Sequence, residues 1–423
     1  MTTASPTAAP PTHRRYELPP TAAYWLMAAI IGLALFASAT PSPLYATYRE
    51  EWGFSSFVLT AIFAVYSAGV LAALLVAGRI SDDVGRRPVL VGSLVVLLLS
   101  TAMFVAANSV LWLFAARALQ GVATGVALGS AGAALLDLHP RRDSHSAGLA
   151  NGFFSTAGMG LGAFIAAVLV QYGPIPMRLP YLVLLVVFGA LLVGALLMPE
   201  PVAHRRPLNL RFEAPHVPPA IRGAFVLSGL GVLASWSIGG LFMSLGPQLA
   251  AIELGTDNHV AGGLAILALT GSGSIAQLVF QRAAPHRLTT GGAVVLAVGL
   301  ASVVGSLSLN SGALFLAASV LTGVGWGTAF LGALRSLTAV IPAETRARTM
   351  SAFYLVAYSS LSIPALAAGL TTSSLGLLPT FRIFGAVVAV LALVVAVAAH
   401  RTRPTRAVGA DRAAGAPVVP IAD

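Results

Sequence analysis

Twelve long apolar stretches recur along the chain, at residues 22–46, 55–77, 88–107, 110–136, 146–170, 179–198, 223–249, 259–281, 288–309, 312–340, 348–370 and 376–399. At about 1.5 Å of rise per residue, each is long enough to cross a hydrocarbon layer of about 30 Å as a helix. Helix is the expected form, because the bilayer core offers no water to bond the backbone and the runs lack the short alternation of barrel strands. Most of the charged residues fall in what lies between. The most pointed of these breaks, residues 78–87, reads Gly-Arg-Ile-Ser-Asp-Asp-Val-Gly-Arg-Arg and must reverse the chain within a few residues on the wet side of a membrane. The predicted fold class is all-α, an integral membrane protein of twelve transmembrane helices.

Arginine sets the orientation. With twelve spans both termini share a side, and nineteen of the 24 arginines fall there; only Arg49, Arg178 and Arg382 fall opposite, while Arg117 and Arg335 lie within spans. That asymmetry places both termini in the cytoplasm of a multi-pass plasma or inner membrane protein. Residues 1–21 and 401–423 read as disordered cytoplasmic tails. A rival view of the start, a signal peptide cleaved after Ala37-Ser38-Ala39, leaves eleven spans and sends the basic carboxyl terminus to the wrong side, so the first span is kept.

Composition agrees: 57% hydrophobic residues, 9% charged and a mean hydropathy of +0.87 describe a chain that water cannot keep dispersed. The net charge of +10 sits in loops rather than on one soluble face, so nucleic acid is not an expected partner. There is no cysteine, which excludes disulfides and thiol chemistry. No phosphate-binding loop, metal-ligand cluster or catalytic constellation shares one membrane depth; no cofactor, metal or enzymatic activity is expected. A non-transporting receptor or a polytopic enzyme is the alternative from another functional class.

The chain repeats itself. Phe36-Ala-Ser38-Ala-Thr-Pro41, near the far end of span 1, resembles Phe242-Met-Ser244-Leu-Gly-Pro247 in span 7; Leu119 to Pro140 runs without gaps against Leu321 to Pro342. Two pseudo-symmetric six-helix bundles follow, residues 22–198 and 223–400. Residues 199–222, rich in proline and arginine, form the cytoplasmic linker.

These features together resemble the major facilitator superfamily, over essentially all twelve spans and most closely its drug-efflux members. The loop after span 2 is similar to the family's first signature at Gly78, Asp82, Gly85, Arg86 and Arg87, departing at Asp83, where a basic residue is usual. Span 4 is similar to a second signature through Arg117, Gln120, Gly121 and Gly125. The resemblance implies a cytoplasmic latch in which Asp82 faces the start of span 11 near Arg346 and Arg348, with Asp137 pairing Arg86, closed only while the cytoplasmic side is shut. It also implies that spans 1, 4, 7 and 10, with 11 nearby, line a central cavity. The candidate substrate contacts are Trp236, Phe242, Met243, Trp326, Tyr354 and Tyr358, alongside Arg117 and Gln120.

Arg117 lies inside a span, where insertion costs about 2.5–3.5 kcal/mol. Either backbone carbonyls offset that cost, or the residue serves substrate or protons. Arg335 sits near enough to a span end to reach the headgroups. All fourteen acids are peripheral, so no mid-membrane carboxylate is available for proton coupling; Glu50, Glu51 and Asp137 are the candidates, and a uniporter is the alternative. The run Gly158-Met-Gly-Leu-Gly162-Ala163 resembles the antiporter signature without its proline, and close helix packing explains it equally. An aromatic cavity poor in charge suits a hydrophobic or amphipathic compound, including a cation held on ring faces. The expectation is a monomeric secondary transporter working by alternating access, exporting such a small-molecule substrate in exchange for protons, with sugar or metabolite uptake as the weaker variant.

Overall fold

The computed structural model describes residues 17–77, 80–141, 143–202 and 214–402. Gly78, Arg79, the middle of the linker and most of both tails lie outside the described residues, as does the expectation that the tails are disordered. The described residues form fifteen α-helices. In the first half these are α1 (Pro20–Ala39), α2 (Leu44–Trp52), α3 (Ser56–Ala77), α4 (Ile80–Val84), α5 (Arg86–Ala106), α6 (Val110–Leu138), α7 (Ser144–Tyr172) and α8 (Leu179–Leu197). The second half contains α9 (Arg222–Ser244), α10 (Gly246–Leu254), α11 (His259–Val279), α12 (Pro285–Leu309), α13 (Gly312–Thr338), α14 (Arg346–Leu375) and α15 (Leu377–Arg401). Twelve segments are long and apolar enough to span a bilayer.

Two expected spans are broken. Span 1 stops at Ala39 and resumes as α2, and span 7 stops at Ser244 and resumes as α10. Proline explains both: Pro41, Pro43 and Pro247 cannot donate the backbone bond that would continue the helix. Each short continuation is nine residues long and ends on a left-handed glycine, Gly53 (φ 65°) and Gly255 (φ 58°). The repeat legible in the sequence is thus a repeat of shape.

Glycine positions carry the repeat into the packing. A Cβ on Gly121 of α6 would lie 2.2 Å from the Tyr66 carbonyl oxygen of α3; one on Gly323 of α13 would lie 2.1 Å from the Leu269 oxygen of α11. Gly125 meets the Val70 oxygen and Gly327 the Gly273 oxygen in the same manner. Only hydrogen fits at these crossings, and removing Cβ lets the backbones touch.

Across the two halves, α3 packs on α14 and α7 on α11, an arrangement that exchanges equivalent helices. Gly160 of α7 faces Thr270 of α11, whereas Gly158 and Gly162 face the carbonyls of Gly32 and Phe36 on α1. The small residues of α7 therefore serve contacts on two sides, as the packing explanation requires. The Leu18 amide donates to the Leu197 carbonyl, placing the chain start beside the end of α8. That side is called the terminal face below, and its opposite the far face.

Candidate functional site

A cavity lies between the halves. From the first half, α1 contributes Leu35 and Ser38, α3 contributes Phe63 and Tyr66, and α7 contributes Met159. Trp236, Gly239 and Met243 of α9 face them, with Thr270 of α11, Trp326 of α13, and Tyr358 and Leu361 of α14. Residues 236, 239 and 243 are three and four apart, so one helical face presents all three. The cavity measures 80 Å³, small against the roughly 300 Å³ or more of a pocket for a drug-sized ligand. Its walls are mostly apolar and aromatic. Trp236 meets Tyr358 edge-on at 5.2 Å and Phe330 at 5.4 Å.

Behind the Ser38 and Tyr66 wall lies a buried polar layer that begins with Pro41. Lacking an N–H, Pro41 cannot bond the Ala37 carbonyl, and the Ser42 amide goes to Ala39 instead. The carbonyls of Ala37 and Ser38 are left over at the end of α1. Gln120 Nε2 donates to Ala37 at 3.0 Å, and an Arg117 terminal nitrogen donates to Ser38 at 2.8 Å. Arg117 also donates to Gln120 Oε1 at 2.8 Å and to the Tyr45 hydroxyl at 2.9 and 2.6 Å, and its guanidinium lies over the rings of Tyr45 and Tyr66 at 5.6 and 5.1 Å. It is fully buried. The insertion cost is met by charge-assisted bonds of about 1.5–3 kcal/mol each and by a cation at a helix carboxyl end. At the equivalent places α13 carries Ser319 and Thr322, which bond carbonyls of their own helix. The positive charge is unique to the first half of the repeat.

The two faces differ. At the far face Thr47 and the Gln171 side chain both reach His259, Arg49 donates to Gln248 at 3.2 Å, and Asn258 donates to Tyr172 at 3.4 Å, all across the halves. Nearer mid-depth, Ser274 donates to Thr156 at 2.6 Å. Among the described residues, no cross-half hydrogen bond is found closer to the terminal face than this one. There Gly85 takes φ 114°, closed to other side chains, and starts α5. Glu200 accepts the amides of Arg86 and Arg87 at 2.9 and 3.1 Å, satisfying donors that a helix start leaves over. Arg86 Nε donates to Asp137 at 3.1 Å and a terminal nitrogen donates to Ser81 at 2.7 Å.

Most gate residues come together, but the latch across the halves is not made. Asp82 pairs with Arg86 of its own loop instead of meeting α14, and Arg87 donates to the Leu196 carbonyl. Arg348 Nε donates to the Ala214 carbonyl of the linker, and Arg346 is exposed. The halves are joined at the far face here, which leaves Asp82 to its nearest cation.

Of the expected substrate contacts, Trp236, Met243, Trp326 and Tyr358 line the cavity, and four do not. Phe242 is fully buried between Phe315 and Phe381; six residues on from Trp236, it points about 120° away around the helix. Tyr354 lies one turn nearer the terminal face, against a cluster containing Leu337 and Phe353. Arg117 and Gln120 sit one layer back. Arg335 donates to the carbonyls of Gln281 and Ala283, tying down the α11–α12 turn. Glu51 lines a separate far-face pocket of 190 Å³ with Trp52 and Arg178, and Glu50 is exposed. Sequence reasoning missed Tyr45 and Tyr66, which only folding brings to Arg117, and Glu200, whose role depends on α8 ending beside α5. It also passed over Glu253, an acid with 7% exposure whose Oε2 has no hydrogen-bond partner.

Over 104 residues the chain is 34% identical to the multidrug resistance protein MdtL of Klebsiella pneumoniae (strain 342), which covers 24% of this chain and 26% of that protein. The chain thus spans about a quarter of the length of that relative. The sequence model of the Major Facilitator Superfamily matches residues 26–365. With a match over most of its length, twelve apolar helices and a cavity between two repeated halves, the chain belongs to the major facilitator superfamily of membrane transporters.

Proposed function

We propose that this transporter exports a small amphipathic compound across the plasma membrane by alternating access, as a monomer with both termini in the cytoplasm and protons moving the other way. The observation that carries this reading is the cavity itself: both halves build its wall, while their polar bonds to each other gather at the far face and mid-depth. Rocking the halves about such a site exposes it to one side and then the other. The arginine asymmetry supports a cytoplasmic terminal face, and with that orientation the conformation described is the one closed to the outside. The latch of Asp82 with the start of α14 belongs to the opposite state. The partial likeness to a multidrug resistance protein supports drug-like cargo.

One observation favours a second reading, uniport. Among the described residues no carboxylate or histidine lines the cavity, and a proton carrier needs a group that changes charge along the pathway. Flux of a compound panel in proteoliposomes, with and without a pH gradient, separates the two. Antiport predicts that flux follows the gradient and that neutralising Glu50, Glu51 or Asp137 uncouples it. Flux indifferent both to the gradient and to those substitutions establishes uniport, and absence of flux for every compound overturns transport of this cargo class.

A further inference from the structure

Two of the residues that line the cavity carry donors with no acceptor, beside hydroxyls of Ser38, Tyr66, Thr270 and Tyr358 that can give or accept. Trp326 is 6% exposed and its indole nitrogen has no partner; the buried indole nitrogen of Trp236 has none either, and both rings line the cavity. An indole N–H can only donate. The Trp326 ring is held by its neighbours: a Cβ on Gly239 would lie 3.3 Å from its nitrogen, and one on Gly273 would lie 2.7 Å from its Cε3. Thr270, also in the lining, donates its hydroxyl proton to the Ile266 carbonyl.

Charge points the same way. Arg117 stands behind the Tyr66 wall, and the side chains that bond it are neutral, a hydroxyl and an amide. Among the described residues no Asp or Glu lines the cavity. A buried guanidinium this close penalises a ligand cation by on the order of tenfold in affinity at an effective dielectric of about 20. Aromatic faces alone do not reverse that, since the site holds no anion to complement a cation.

We infer that the cavity selects an uncharged or anionic aromatic amphiphile whose carbonyl or carboxylate oxygens accept from the Trp326 and Trp236 indoles, and that it discriminates against cations. This rests on the cavity being the transport site and sharpens the cargo class expected from sequence, from which cations are now excluded.

The test uses one naphthalene body with three head groups, N-methylcarboxamide, carboxylate and trimethylammonium, plus methylnaphthalene as a reference without an acceptor. Binding to the full-length protein in nanodiscs is read by calorimetry. The amide and the carboxylate should bind at least tenfold more tightly than the ammonium. Trp326→Phe keeps a ring and removes the donor; it should weaken the amide roughly two- to tenfold and leave methylnaphthalene unchanged. Tightest binding by the ammonium, or equal amide affinity in the variant, overturns the inference while leaving transport intact. Binding of none of the four overturns both this inference and the assignment of the cavity as the transport site. The head-group ranking is read on the unaltered protein and decides the matter even if the variant fails to fold.

Discussion

The glycine crossings give the sharpest test of how the two halves are built. In Gly121→Ala, the added methyl carbon would stand 2.2 Å from the Tyr66 carbonyl oxygen. Ordinary contact needs about 3.4 Å, so α3 and α6 must separate by about 1 Å, a gap that forfeits a quarter to a half of each dispersion contact along the crossing. Overpacking of this kind costs about 1–3 kcal/mol. Gly92 supplies the control: its position has nothing within 4 Å, so Gly92→Ala gains helix propensity of up to about 1 kcal/mol with no clash. Because that gain is common to both variants, their difference isolates the clash. Thermal unfolding of the two proteins in the same detergent should place Gly121→Ala several degrees below Gly92→Ala, with Gly323→Ala matching it at the repeated crossing. Transport should fall too, since Tyr66 both walls the cavity and faces Arg117. Equal midpoints for Gly121→Ala and Gly92→Ala would refute the argument that carbonyl contact, rather than composition, fixes these glycines.

Other expectations follow from the same geometry. Gln120→Leu strands the Ala37 carbonyl and leaves one N–H of the Arg117 terminal nitrogen without its acceptor, its bond to Ser38 remaining, and a loss of about 1–3 kcal/mol should appear as a lower unfolding midpoint. Burial raises the Glu253 carboxyl above its usual range, only partly opposed by Arg382. A raised folded-state value means the contribution is fully present below the unfolded value, near 4.3, and is lost as pH rises through the folded one. Wild type should therefore lose stability over that rise while Glu253→Gln does not, and parallel pH profiles would count against it. Asp137→Asn and Arg86→Gln in a double-mutant cycle should show a coupling of at most about 1 kcal/mol, since Asp137 is one-third exposed. The chain has no cysteine, so Asp82→Cys with Arg346→Cys offers a clean probe of the latch. The pair should cross-link under conditions that favour the outward-open state and fail to do so when substrate or inhibitor holds the far face shut.

The twelve spans were legible in the sequence because a helix in a bilayer must satisfy its backbone internally, and a run of apolar residues of the right length has no other stable form. The repeat was legible for a related reason: Pro41 and Pro247 stand at equivalent places and lack the N–H that would continue a helix, though Pro364 is carried inside α14, and Gly121 and Gly323 stand at equivalent crossings. Gly85 was legible as the residue of a tight reversal, and the Arg86–Asp137 pair as what the family resemblance implies. What the sequence left undecided was direction around each helix and partnership across helices. Phe242 and Met243 are neighbours in the chain, yet only the second faces the cavity, because rotation about α9 is fixed by what α9 packs against. The partners of Arg117 were not legible either: Tyr45, Ser38 and Gln120 close around it from up to 79 residues away. The same holds for Glu253, peripheral by position and buried by the packing of α10. Hydrophobicity and chain-breaking residues act locally and are written in order along the chain; burial, donor satisfaction and charge pairing exist only once distant helices meet.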